Sequence, residues 1–114
     1  MSDTAHEPFV RPGAPMCVVT LRYTAPLEAI DAAMADHVAW LRQAYANDLV
    51  IASGRQVPRT GGVVVMRGDR ARVEALVATD PFVSGGLAEA EVVAFTASMA
   101  TPALAELLGS QVAA

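Results

Sequence analysis

The middle of the chain limits its fold more than any other part. Residues 49–67, "LVIASGRQVPRTGGVVVMR", are two apolar, β-branched runs separated by a Pro/Gly turn. They read as a hairpin, with strands over 49–57 and 63–67 and the turn over 58–62. Helical segments flank this hairpin on both sides. Upstream, 25–48 is rich in alanine, with Pro26 in its first turn and Asn47-Asp48 at its end. Downstream, 69–79 starts at Asp69, a good N-cap, and carries Val73, Leu76 and Val77 on one face; Pro81 stops it. Outside the helices lie "CVVTLRYT" at 17–24 and "AEVVAFTAS" at 90–98, both of strand composition. The order β-α-β-β-α-β predicts an α+β, ferredoxin-like fold: a four-stranded antiparallel sheet with both crossover helices on one face. Thr101-Pro102 then opens a short tail helix that Gly109 closes.

Such a sheet has a second face with no helix to cover it. Val63 to Met66 are apolar without alternation, so that face should not meet water. The chain is 54% hydrophobic with a mean hydropathy of +0.38, above the roughly 45–50% apolar content usual in soluble domains. Two copies packed sheet to sheet would absorb the excess, so a homodimer through the sheet face is expected. No apolar run reaches the ~18 residues of a membrane-spanning helix. The N-terminus lacks the basic-then-apolar pattern of a secretory signal. The net charge is −4 and the eight basic residues are scattered arginines, so there is no basic stripe for a nucleic acid. Cys17 is alone, which rules out an intrachain disulfide and a cysteine metal centre and fits a reducing cytoplasm. The length supports one domain: a flexible leader over 1–15, the α+β body over 16–98, and a tail over 99–114 with its short helix.

One residue breaks the apolar pattern. At about 100° per residue, Leu27, Ile30, Met34, Val38, Leu41 and Tyr45 share one side of the first helix, extended by Ala33, Trp40 and Ala44. His37 projects near the middle of that side. A core histidine satisfied by one hydrogen bond accounts for this. A histidine lining a cavity, able to move protons near neutral pH, also accounts for it. His6 lies in the Pro-rich leader and reads as solvent-exposed, and two separated histidines make no metal site. Asp80, before Pro81, fits an ordinary helix end or an acid that orients an imidazole. Gly54 inside a strand signals a bulge or a close approach to a ligand, and Ser53 beside it suits a ligand-binding hydroxyl better than a nucleophile. Arg55 and Arg59 are turn arginines that could hold an anionic group.

Taken together, "HVAWLRQAYANDLVIASG", "PRTGGVVVMRG" and "DPFVSGGLAEAEVVAF" resemble the YCII-related (YciI-like) family in order and spacing, from Cys17 to Phe95. The resemblance implies a ferredoxin-like subunit that pairs into a dimeric α+β barrel. It further implies an active-site dyad of a helix histidine and an Asp-Pro-aromatic aspartate, which fall on His37 and Asp80. The family's Ser-Gly-Pro segment falls on Ser53-Gly54-Arg55, with Arg in place of proline. Some members are dehydrochlorinases of chlorinated aromatics, and the wider superfamily includes muconolactone isomerases and cofactor-free monooxygenases.

The resulting expectation is a small cofactor-free enzyme of lyase or isomerase type. His37 and Asp80 would be catalytic, while Ser53, Gly54 and Arg59 would bind a small, aromatic or unsaturated oxygenated substrate. The rival expectations are a non-catalytic ligand-binding or accessory dimer, and a purely structural His–Asp contact.

Overall fold

A computed structural model of the chain describes residues 7–109. Strand β1 (Ala14–Tyr23) leads into helices α1 (Leu27–Ala32) and α2 (Met34–Ala46). The hairpin follows as β2 (Val50–Arg55) and β3 (Gly61–Arg67). Helices α3 (Arg70–Val77) and α4 (Pro81–Ser84) return the chain to β4 (Ala88–Ala97), and α5 (Pro102–Leu108) ends it. The sheet order is β2-β3-β1-β4, every pair antiparallel. This is the ferredoxin-like α+β arrangement that the order of elements predicts.

Strand parity decides which side chains form the core. Cys17, Val19 and Leu21 of β1 pair beside Met66 and Val64 of β3 and face the helices. Ile30, Val73, Val77 and Phe82 close over them, all but fully buried. Each such side chain contributes about 1.5–3 kcal/mol by leaving water. Burial pushes the Cys17 thiol above its usual range, with Arg70 pulling the other way. The thiol is a packing group that points its hydrogen at the Gly68 carbonyl, 3.5 Å away.

Four local features differ from the sequence expectation. First, the long helix over 25–48 is broken at Ala33 (φ −96°, ψ 0°). The break shifts the phase of the apolar side, so Leu27 and Tyr45 are exposed while Ile30, His37 and Ala44 are buried. Second, α3 does end ahead of Pro81, but Pro81 then opens a further short helix, α4, where its missing N–H costs nothing. Third, the leader gives way to structure before residue 15. Ala14 and Pro15 pair with Ala97 and Thr96, and Val10 exchanges two backbone hydrogen bonds with Ala100, because unpaired strand-edge groups find partners there. His6 lies outside the described residues.

Fourth, the second sheet face is not wholly bare. Helix α5 lies on one end of it, where Leu108, Leu104 and Ala105 pack with Met16, Ala97 and Val65. Thr101 caps α5 through its hydroxyl, and buried Arg67 donates to the Leu108 carbonyl at the helix's far end. The rest of the face stays open: Val93 is 54% and Phe95 45% exposed.

The hairpin is tightest at Gly61, where a Cβ would lie 1.8 Å from the Leu21 carbonyl oxygen. A Cβ at Gly54 would meet nothing within 4 Å. Gly61→Ala is therefore expected to lower stability by about 2–3 kcal/mol through forced separation of β1 from β3. Gly54→Ala should stay within about 1 kcal/mol of the parent or stabilise it. Urea denaturation of the two variants checks both.

Candidate active site

Helix α2 delivers His37 to the interior, 9% exposed, with its backbone N–H held by the Ala33 carbonyl at 3.1 Å. Asp80 comes from the connection between α3 and α4 and is 1% exposed. Its backbone N–H still bonds to Val77 at the end of α3, while its carboxylate caps α4. Oδ1 accepts from the Phe82 N–H at 3.0 Å and lies 2.8 Å from His37 Nδ1. One residue thus bonds back to the end of one helix, starts the next and reaches across to a third. A second tie runs in parallel: Trp40 Nε1 donates to Thr79 Oγ1 at 2.8 Å.

This geometry fixes the imidazole. With the carboxylate as acceptor, the shared proton belongs on Nδ1, and in that neutral tautomer Nε2 presents its lone pair. Nε2 has no hydrogen-bond partner among the described residues. Phe82 stacks on the ring, centroids 4.0 Å apart and planes 7° from parallel. Tyr23 meets Phe82 edge-on at 6.0 Å. The remaining carboxylate oxygen, Asp80 Oδ2, is buried without a hydrogen-bond partner among the described residues. Charge compensation of Asp80 therefore rests on the imidazole and one backbone amide.

The imidazole lines a cavity of about 140 Å³ between α2 and the sheet. That is the scale of cavity that admits one aromatic ring. Met34, Val38 and Leu41 of α2, Leu21 and Val64 of the sheet, and Phe82 form apolar walls. Polar atoms come from His37, Tyr23, Ser53 and Arg55.

A β-bulge sets the strand side of this cavity. Val50 pairs with Met66, but Ala52 pairs with Val65, so one extra residue is absorbed between them. Unbroken alternation from Val50 would turn Ser53 and Arg55 away from the helices. The bulge reverses parity, and both then lie opposite Val64 and Gly62 on the helix side. The strand irregularity expected at Gly54 lies at Ile51 instead, because the extra residue is accommodated there.

Of the residues singled out in the sequence, His37 and Asp80 touch, and His37, Ser53 and Gly54 line the same cavity. The Ser53 hydroxyl shares a 2.7 Å hydrogen bond with Tyr45. Arg59 is placed differently from the expectation of a substrate contact. Its Nη2 donates to Asp31 at 2.6 Å, and its guanidinium stands 6.0 Å from the Tyr23 ring, outside the cavity wall. Its pKa is raised, chiefly by that hydrogen bond to Asp31. Arg55, two residues along β2 from Ser53, takes the place in the wall. Tyr23, which reads in the sequence as a packing residue, and Phe82 also line the cavity. Their signal is a shared strand side with Leu21 for Tyr23, and adjacency to Asp80 for Phe82. Among the described residues no three His, Cys, Asp or Glu side chains gather as a metal site requires. No helix there is long and apolar enough to cross a membrane.

Comparison with known proteins gives two positive findings. The chain is similar in structure to 5-chloro-2-hydroxyhydroquinone dehydrochlorinase from Burkholderia phenoliruptrix AC1100, solved in complex with 2,5-dihydroxybenzoquinone. The TM-score is 0.55 at 21% identity, covering 69% of this chain and 90% of that one. At that identity the likeness speaks for the fold. No curated protein sequence matches the chain. The sequence model of the YCII-related domain matches residues 16–96. With its ferredoxin-like sheet and this match over most of its length, the chain belongs to the YCII-related domain family.

Proposed function

We propose that the chain is a small enzyme of lyase or isomerase type, in which His37 moves a proton and Asp80 orients it. The observation that carries this reading is the buried 2.8 Å His37–Asp80 pair beside a ring-sized, mostly apolar cavity, with Nε2 left without a partner among the described residues. Nε2 takes a proton from carbon or oxygen of a bound ring. The electron pair left behind either forms a double bond to the neighbouring carbon as chloride leaves it, or shifts along the conjugated system so that the His37 imidazolium returns the proton at another carbon. A similarly folded protein bearing the name dehydrochlorinase supports the first outcome. Asp80 stabilises the imidazolium that forms, by the logic of His–carboxylate pairs elsewhere. Ser53 and the backbone at Gly54 face the ring from the strand side. Proton transfer of this kind accelerates a reaction about 10²–10⁴-fold, enough for substrates whose carbanion is stabilised by conjugation.

The test needs variants that leave the fold standing. His37→Ala strands a buried carboxylate, a change that costs about 3–5 kcal/mol, and so confuses fold with chemistry. His37→Asn keeps a donor for Asp80 and removes the base. It should retain the native circular dichroism spectrum and lose chloride release from chlorinated di- and trihydroxybenzenes by about 10²–10⁴-fold. Asp80→Asn keeps a good N-cap and should lower the same rate by at least about tenfold. Turnover that survives His37→Asn sinks the dyad. Ligand binding without turnover in the parent protein assigns the cavity to binding alone.

We also propose that the open sheet face forms a homodimer, in the manner of a dimeric α+β barrel. Val93 and Phe95 stand half-exposed on it beside Val18, Val63 and Val65, a poor surface to leave in water. A cytoplasmic setting suits its single, buried thiol. Phe95→Glu places a charge in the proposed interface. Light scattering after size exclusion should find the parent as a dimer and the variant as a folded monomer; a monomeric parent discards the proposal.

A further inference from the structure

Among the described residues Arg55 is the one side chain of fixed charge in the wall of the His37 cavity, and no carboxylate of theirs lines that wall. It makes no hydrogen bond or ion pair among the described residues. Arg42 and Arg72 likewise show no side-chain hydrogen bond or ion pair among the described residues, but neither lines this cavity; the remaining arginines of this acidic chain are engaged elsewhere. Arg11, Arg22, Arg59 and Arg70 each face a carboxylate, on Glu7, Glu89, Asp31 and Glu74. Buried Arg67 is held by backbone carbonyls.

Three features of β2 and β3 put this cation to use. The bulge at Ile51 aims Arg55 to the helix side, where unbroken alternation would aim it outward. Gly62, its cross-strand partner, has no side chain to fill the space beneath it. Ser53, on the same side two residues earlier, adds a hydroxyl that Tyr45 holds in place at 2.7 Å. A guanidinium with free donors at the edge of an apolar hollow is suited to an oxyanion, which it can grip with two parallel hydrogen bonds.

We infer that Arg55 is the anion anchor of this cavity, and that the ligand is a small ring bearing an oxyanion, a carboxylate or an ionised phenolic oxygen. The oxyanion binds Arg55 with help from Ser53, and the ring lies between the apolar wall of α2 and the sheet. That pose points the ring, not its charge, at His37 Nε2. The inference rests on the proposed ligand cavity but not on its catalysing anything.

Calorimetric titration with benzoate, 4-nitrophenolate and the uncharged benzyl alcohol in mildly alkaline buffer tests it. The parent protein should bind at least one of the two anions about tenfold or more tightly than benzyl alcohol. Which anion binds better distinguishes carboxylate from phenolate as the favoured source. Arg55→Gln should remove that preference and leave benzyl alcohol binding unchanged; Arg55→Lys should recover part of it. The inference is overturned if the parent shows no preference, or if Arg55→Gln keeps it. If benzyl alcohol and both anions fail to bind, the cavity reading and this inference fall together. Loss of the anion preference alone leaves the cavity and the dyad standing.

Discussion

A carboxylate almost wholly removed from water must find its compensation inside the protein, and Asp80 finds most of it in one imidazole. The cost of burying an unpaired carboxylate is several kcal/mol, comparable to the net stability of a whole small domain. The His37–Asp80 contact therefore constrains everything attached to either residue. Asp80 also bonds back to the last residue of α3 and caps α4, so the path of the chain from β3 to β4 is tied to α2 through this side chain, with Thr79 beside it. Phe82, stacked on the imidazole and buried in the core, follows from the same turn. The ordinary structural reading of Asp80 and the proposed catalytic one thus rest on the same contact.

The two faces of the sheet do different work. The helix-side face carries the core and the cavity. The other carries a row of valines with Phe95, and helix α5 covers only its end near Met16. Buried Arg67 fastens that helix by its last carbonyl while also holding the Asp48 carbonyl after α2. The C-terminal helix is thus fixed to the body at the place where the sheet would otherwise be most open.

Much of this was legible in the sequence, because the informative signals are local. Hairpin residues, caps and apolar periodicity place all four strands and the order of the helices. His37 stands out as a polar residue on an apolar stripe. What was not legible depends on contacts far apart or on backbone details without a residue signature. The break at Ala33 is one case: alanine is the best helix former, and nothing in "DAAMAD" announces a bend. Helix α5 is another, since its position depends on Arg67 and Met16, far upstream. The His37–Asp80 contact spans 43 positions, so spacing could not reveal it; family resemblance pointed to it. Arg55 and Arg59 were indistinguishable as turn arginines. The choice between them depends on a bulge that "VIASG" does not advertise, Asp31 having already taken up Arg59.

That bulge has a broader consequence. The site has two halves on separate supports: the histidine on a helix, the polar rim on an edge strand next to one neighbour only. An edge strand tolerates an absorbed residue because its outer hydrogen bonds have no partner strand to misalign. Downstream of Ile51 the chain can thus exchange its inward and outward sets of side chains without disturbing the helix half that carries His37. A shift of the absorbed residue along this edge would change which side chains face the hollow, while the His37–Asp80 pair stays where it is.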